Sequence, residues 1–206
     1  MLRRLGLDVG HERLGRDGVA SWALAVDATS TPWGPSWHDV RFDVVLHQVR
    51  HPLGVVNSAL SFREESWRFI CEHIPVSIED PLPLRSAAYW YHWNNEAEKK
   101  AELTYRVEDV AGVLEDICAR LGCAVDHSVL DRVPTDVNTR RRGRIFHLTE
   151  EALERLGLPP VRQVWMRSRN AARRDPPAVG WDQIRSFDPA LCDLMMAKAE
   201  EYGYRP

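Results

Sequence analysis

The chain has 206 residues, 44% of them hydrophobic, which is enough to bury one core of its own. Lys and Arg total 27 against 30 Asp and Glu, a net charge of −3. That balance argues against a partner that is nucleic acid or an anionic membrane surface. No apolar run approaches the length of a membrane span and no signal peptide precedes Met1, so the expected location is cytoplasmic. The four cysteines, Cys71, Cys118, Cys123 and Cys192, form no C-x-x-C pair and no cluster with histidines at metal spacing. They read as reduced and mostly buried, and no metal site is expected.

The opening residues Met1 to Leu7 read as the last turns of a helix, with Gly6 as its C-cap. A short strand follows at Asp8 to Gly10, then a loop carrying His11 and Glu12. Val19 to Val26 is apolar and is expected to open a helix, and Thr29 to Pro35 is expected to be loop. Phe42 to Val49 (FDVVLHQV) is the clearest strand, continuous and apolar as a central parallel strand is. Arg50-His51-Pro52 ends it, and Pro52 stands where a first-turn proline belongs, with Leu53, Val56 and Leu60 at helical spacing.

Helices are expected at Ser66 to His73 and at Leu84 to Lys100, separated by a proline-rich loop; the second has an aromatic face of Tyr89, Trp90, Tyr91 and Trp93. Leu103 to Val107 reads as a strand, capped by Glu108-Asp109 into a helix from Val110 to Leu121 that Gly122 ends. Repeated strand–helix units imply a parallel sheet. The fold expected is α/β, a three-layer parallel sheet flanked by helices. Val133 to Phe146 reads as an arginine-rich loop and Thr149 starts a short helix. A single domain spans 1–206, with 160–188 as a basic arm, and Pro189 to Tyr202 is the C-terminal helix.

The segment Val44 to Ser58 (VVLHQVRHPLGVVNS) carries the chemistry. A strand delivers Arg50 to the carboxyl edge of the sheet, where open α/β folds bind ligands. Ser58 lies two turns into the next helix. A guanidinium fork and a hydroxyl together make a phosphate clamp.

Arg50, Pro52 and Ser58 in this strand–helix setting resemble the 3′-phosphate motif of sulfotransferases that use 3′-phosphoadenosine 5′-phosphosulfate (PAPS). Gly6 to Trp22 resembles the segment after the phosphate loop of bacterial sulfotransferase-like proteins, and Thr104 to Val110 resembles a recurrent strand of that family. Asn138 to Arg144 (NTRRRGR) matches its basic cofactor loop. The resemblance runs from about Leu5 to Leu153. It implies a sulfotransferase-like P-loop fold and a cofactor set of Arg50, Ser58, Asn138, Arg140, Arg142 and Arg144. It also implies Glu12 or His11 as the base that takes the acceptor's hydroxyl proton.

The family's glycine-rich phosphate loop has no counterpart. Gly15-Arg16-Asp17-Gly18 follows no long strand, and Asp17 would repel a phosphate. The expectation is therefore a fold whose first strand–loop–helix unit is truncated. An exposed sheet edge would then favour self-association. The function expected is sulfuryl transfer from PAPS to a hydroxyl of a glycan, lipid or small metabolite. The alternative is a degenerate, non-catalytic module that binds a nucleotide or a protein; a nucleotide-kinase relative is a weaker third reading.

Overall fold

The computed structural model describes residues 1–131 and 178–205. The chain falls into two compact units, Met1–Arg132 with Val179–Pro206, and Val133–Ala178. The described residues form a mixed α/β structure of short parallel strands and seven α-helices.

A 3-10 turn at Leu2–Leu5 ends at Gly6, whose φ of 87° is the left-handed conformation that closes it. Strand β1 (Val9–His11) runs parallel to β2 (Gly18–Ala20), with Val9 opposite Gly18. The connection is tight enough that a Cβ on Gly10 would sit 1.9 Å from Arg13 O, and one on Gly15 would sit 2.2 Å from Asp8 O. Acidic side chains hold it: Asp8 N–H donates to Asp17 Oδ2 at 2.7 Å, and Arg16 N–H donates to Asp8 Oδ2 at 3.1 Å. These glycines serve a turn whose backbone donors bond the turn's own carbonyls and carboxylates, with Gly15 N–H on Gly18 O at 2.8 Å and Asp17 N–H on Asp8 O at 3.0 Å.

The apolar run 19–26 does not open an α-helix. Its first part is β2, and Trp22–Ala25 is a 3-10 turn capped by Ser21, whose Oγ accepts from Ala23 N–H at 3.2 Å. Val26 then returns to extended backbone and stops it. The expected loop at 29–35 contains a small antiparallel pair, β3 (Ser30–Thr31) with β4 (Gly34–Pro35).

Strand β5 is Leu46–Val49, half the length expected. Among the described residues it pairs in parallel with β6 (Leu103–Arg106) alone, from Leu46 opposite Leu103 to Val49 opposite Arg106. Val45 O still accepts from Glu102 N–H at 2.9 Å, but among the described residues no strand lies against 42–44. His47 and Val49 are buried while Gln48 is exposed, so this pair is covered on one face rather than both. The described strands thus form three two-stranded sheets in place of one wide layer.

Helix α1 (Pro52–Ala59) follows β5 with Pro52 in its first turn, as the sequence indicates. Helix α2 is Glu64–Cys71 and α3 is Leu82–Glu98. Helix α4 (Leu114–Leu121) starts four residues later than expected. The acids meant to cap it are engaged elsewhere: Asp109 accepts from Arg106, and Glu108 accepts from Tyr204 Oη at 2.7 Å. Gly122, at φ 64°, ends it. A short α5 (Ser128–Asp131) follows.

Residues 181–187, expected to belong to a basic arm, are helix α6 (Trp181–Phe187), because Ile184 is fully buried and anchors it. Asp188 then caps α7 (Pro189–Glu201), accepting from Leu191 N–H at 2.9 Å. No helix among the described residues is long and apolar enough to cross a membrane.

The core gathers on α3. Trp90 and Ala87 meet Val49, Val56 and Ala59 from the β5–α1 unit, with Ile70 of α2 and Ile184, Cys192 and Met195 of α6 and α7. A smaller cluster joins Leu114, Cys118 and Val129 to Met1 and Leu5. Asn57 fastens the chain where it re-enters: its amide donates to Val179 O at 2.9 Å and accepts from Val179 N–H at 2.8 Å.

Candidate functional site

Parallel strands β5 and β6 end side by side, which brings Arg50 and Arg106 to one edge. The two arginines are treated differently. Arg106 bonds Asp109, donates through Nη1 to Gly203 O at 2.6 Å, and lies 5.4 Å from the centre of the Tyr204 ring. Tyr204 Oη lies 3.3 Å from Val49 O, so the C-terminal tail is stapled across the strand ends. Burial and then the neighbouring Glu108 carboxylate push the Tyr204 phenol well up, which keeps it a donor.

Arg50 is exposed, and among the described residues no carboxylate or carbonyl pairs with its guanidinium. Its backbone is fixed from below: Trp90 Nε1–H donates to Arg50 O at 3.1 Å. Its side chain folds back along α1, so that a Cβ placed on Gly54 would lie 3.7 Å from Arg50 Nε. Gly54 and Ser58 are one helical turn apart and share a face. Arg50 therefore lies over the same helix face that carries the half-buried Ser58. Gly54, absent from the residues singled out above, leaves that face open. Its signal was its position, four residues from both Arg50 and Ser58.

Glu12 sits at the turn between β1 and β2 with φ 54°, the one non-glycine residue with positive φ among those described. Its N–H donates to Ala20 O at 3.1 Å, and Ser21 Oγ donates to its Oε2. The Glu12 side chain is 17% exposed and that of His11 is 75% exposed; His11 Nδ1 lies 3.8 Å from Glu12 Oε1. Burial pushes the Glu12 carboxyl up, against the opposing pull of the Ser21 hydroxyl and His11. Beyond it Tyr89 is buried, and Glu12's charge adds to the burial that raises the Tyr89 phenol.

Of the two candidate bases, only Glu12 has the desolvated, hydrogen-bonded setting of a tuned group. His11 projects outward beside it. Ser21, which orients the carboxylate and caps the next turn at once, was not legible as a site residue because its capping role hides it.

Trp22 is a core residue. Its ring meets Tyr89 at 6.0 Å and Trp93 at 5.2 Å, and its carbonyl accepts from Trp93 Nε1 at 2.7 Å. The aromatic face of α3 is likewise packed: Tyr89, Trp90 and Trp93 are buried. Asp17 belongs to the β1–β2 turn.

Helix α3 serves both places: Trp90 holds the Arg50 backbone, and Tyr89 lies near enough to Glu12 to feel its charge. No direct bond joins the two. Asn138, Arg140, Arg141, Arg142 and Arg144 lie outside the described residues. Among the described residues no group of three or more His, Cys, Asp or Glu could hold a metal ion. No glycine-rich loop leads from a strand into an α-helix among them either. No family model, no curated protein and no solved structure matches the chain.

Proposed function

We propose that the β5–α1 unit binds the 3′-phosphate of a PAPS-type nucleotide, and that the chain belongs to a sulfuryl-transfer system acting on a hydroxyl acceptor. One observation carries this reading. Arg50 is a strand-end arginine without a carboxylate partner among the described residues, folded over a glycine on the helix face that carries Ser58. A guanidinium with no carboxylate partner among the described residues, over the helix face that carries a serine, suits a phosphate oxyanion.

In the reaction, the acceptor oxygen bonds to sulfur while the sulfur–oxygen bond to the nucleotide's phosphate breaks. The hydroxyl proton goes to a base. Glu12 has the setting for that role, and its raised carboxyl brings its proton affinity nearer to neutrality, where a general base is effective. Ser21 would hold the carboxylate's Oε2 and leave Oε1 for the acceptor.

A second reading has its own support. In the β1–β2 turn the N–H groups of Glu12, Gly15, Arg16 and Asp17 are all engaged within the protein, and two carboxylates, Asp8 and Asp17, stand beside them, which disfavours a cradle for the 5′-phosphosulfate. A domain that binds the nucleotide without transferring sulfate fits that fact.

Calorimetric titration with 3′-phosphoadenosine 5′-phosphate tests the clamp. Arg50→Ala removes a charge-assisted fork worth about 1.5–3 kcal/mol, so binding should weaken about 10- to 100-fold. Ser58→Ala should cost less. Equal affinity in wild type and Arg50→Ala removes Arg50 from the site. Binding without release of labelled sulfate to any hydroxyl acceptor selects the non-catalytic reading.

A further inference from the structure

Four buried polar side-chain atoms have no hydrogen-bond partner among the described residues; two of them, Trp67 Nε1 on α2 and Arg85 Nε in the first turn of α3, belong to side chains in contact. Arg85 lies over the Trp67 ring, its guanidinium carbon 5.0 Å from the ring centre. That contact brings the two unpartnered donors into one neighbourhood, where a group with several oxygens has donors to meet. Trp67 itself is 3% exposed, so its N–H does not face bulk solvent.

The setting is otherwise rich in donors and poor in acceptors. Arg85 stands in the first turn of the 17-residue helix α3, where a cation opposes the helix dipole. No side chain caps that helix end, and its first turn contains no acid. The nearby acid, Asp80, already accepts from Ser77 N–H at 2.7 Å. A cation at the wrong end of a helix, over an indole whose N–H has no acceptor, is complete once an anion arrives.

We infer that Arg85, Trp67 and the α3 N-terminus form a second binding site, which takes an oxyanion group: the carboxylate, phosphate or sulfate of a small molecule or of a larger ligand. The guanidinium supplies charge, and the indole N–H supplies a directed donor from a rigid wall of Phe62 and Tyr89. The site is separate from the Arg50 clamp and does not depend on the reading given for that clamp.

The indole N–H resonance of Trp67 in a proton–nitrogen correlation spectrum reads the site directly, and Trp67→Phe assigns it by deletion. Inorganic phosphate, inorganic sulfate and acetate are titrated separately, each against chloride at matched ionic strength. A saturable downfield shift is expected with at least one of them. Response to the tetrahedral ions assigns a phosphate or sulfate ligand, and response to acetate assigns a carboxylate.

Arg85→Met should weaken the response at least 10-fold, while Arg50→Ala should leave it intact. A Trp67 resonance that none of the three ions moves overturns the inference. So does one that moves equally in Arg85→Met, or one whose response vanishes in Arg50→Ala. If Arg85→Met fails to fold, Arg85→Lys decides, since it keeps the charge and removes the Nε donor.

Discussion

The most exacting test of this architecture is Asn57. Its carboxamide spends every donor it has: Nδ2 donates to Leu53 O at 2.8 Å and to Val179 O at 2.9 Å, while Oδ1 accepts from Val179 N–H at 2.8 Å. Val179 is 4% exposed, so its backbone cannot turn to water if the amide is removed. Asn57→Ala deletes two hydrogen bonds to Val179, worth about 0.5–1.5 kcal/mol each, and strands a buried N–H and C=O. A loss of about 2–4 kcal/mol follows, read by urea unfolding with the denaturant slope unchanged.

Asn57→Asp separates this account from simple loss of volume. A carboxylate still accepts from Val179 N–H but faces two carbonyl oxygens with no proton to give. Its folded pKa is therefore raised, and the variant should regain stability relative to wild type as pH falls through the carboxylate range. An Asn57→Ala protein within about 0.5 kcal/mol of wild type would refute the reasoning, because two stranded buried groups cost more than that.

Three further outcomes are expected. Glu12→Gln should lower any transfer rate about 100- to 10,000-fold, the range for loss of a general base. It should also stabilise the fold: burial raises the Glu12 carboxyl, so wild type loses stability as pH rises above its unfolded value, and the advantage of the glutamine should grow over the same range in paired melting curves.

His47 is held neutral by burial between Asn94 Oδ1 at 3.0 Å and Thr104 Oγ1 at 3.2 Å, with Glu98 and Lys198 as the charges that face it. Asn94 Nδ2 donates to Trp90 O, so its Oδ1 is the acceptor and His47 carries its proton on Nε2. Its contribution to stability is complete above the ordinary histidine value and fades as pH falls below it; imidazole nitrogen shifts would report the tautomer and the lowered pKa. Alkylation at mildly alkaline pH should spare Cys118, whose thiol burial and Cys123 push up to about 11, and should reach the half-buried Cys71 and Cys123 first, as peptide mapping would show.

Local signals were the ones the sequence carried well. Pro52 opening α1, Gly6 and Gly122 closing their turns in the left-handed conformation, and the aromatic periodicity of α3 each act within a few residues. What failed depended on distant partners. FDVVLHQV reads as an eight-residue buried strand, yet only the stretch facing Leu103–Arg106 becomes one. Glu108 and Asp109 read as caps, but Tyr204, near the other end of the chain, and Arg106 claim them.

At the candidate site, the strand–turn–helix order of β5 and α1 was legible, and it puts Arg50 at the strand end and Ser58 in the helix that follows. The role of Gly54 and the freedom of Arg50 needed coordinates, since both are statements about what is not nearby. The same holds for Ser21, whose carboxylate partner lies across the β1–β2 turn, and for Arg85, whose ring partner lies on α2 and whose Nε has no acceptor among the described residues.

The backbone at Glu12 has a consequence for natural variation. A left-handed φ favours glycine or asparagine and disfavours a side chain as long as glutamate. Drift in any lineage that has no use for a carboxylate there would relax the position toward those smaller residues, with a gain in stability. Glutamate persisting at this strained corner among divergent relatives would mark a demand made by chemistry, and its ready replacement by glycine would mark a turn and nothing more.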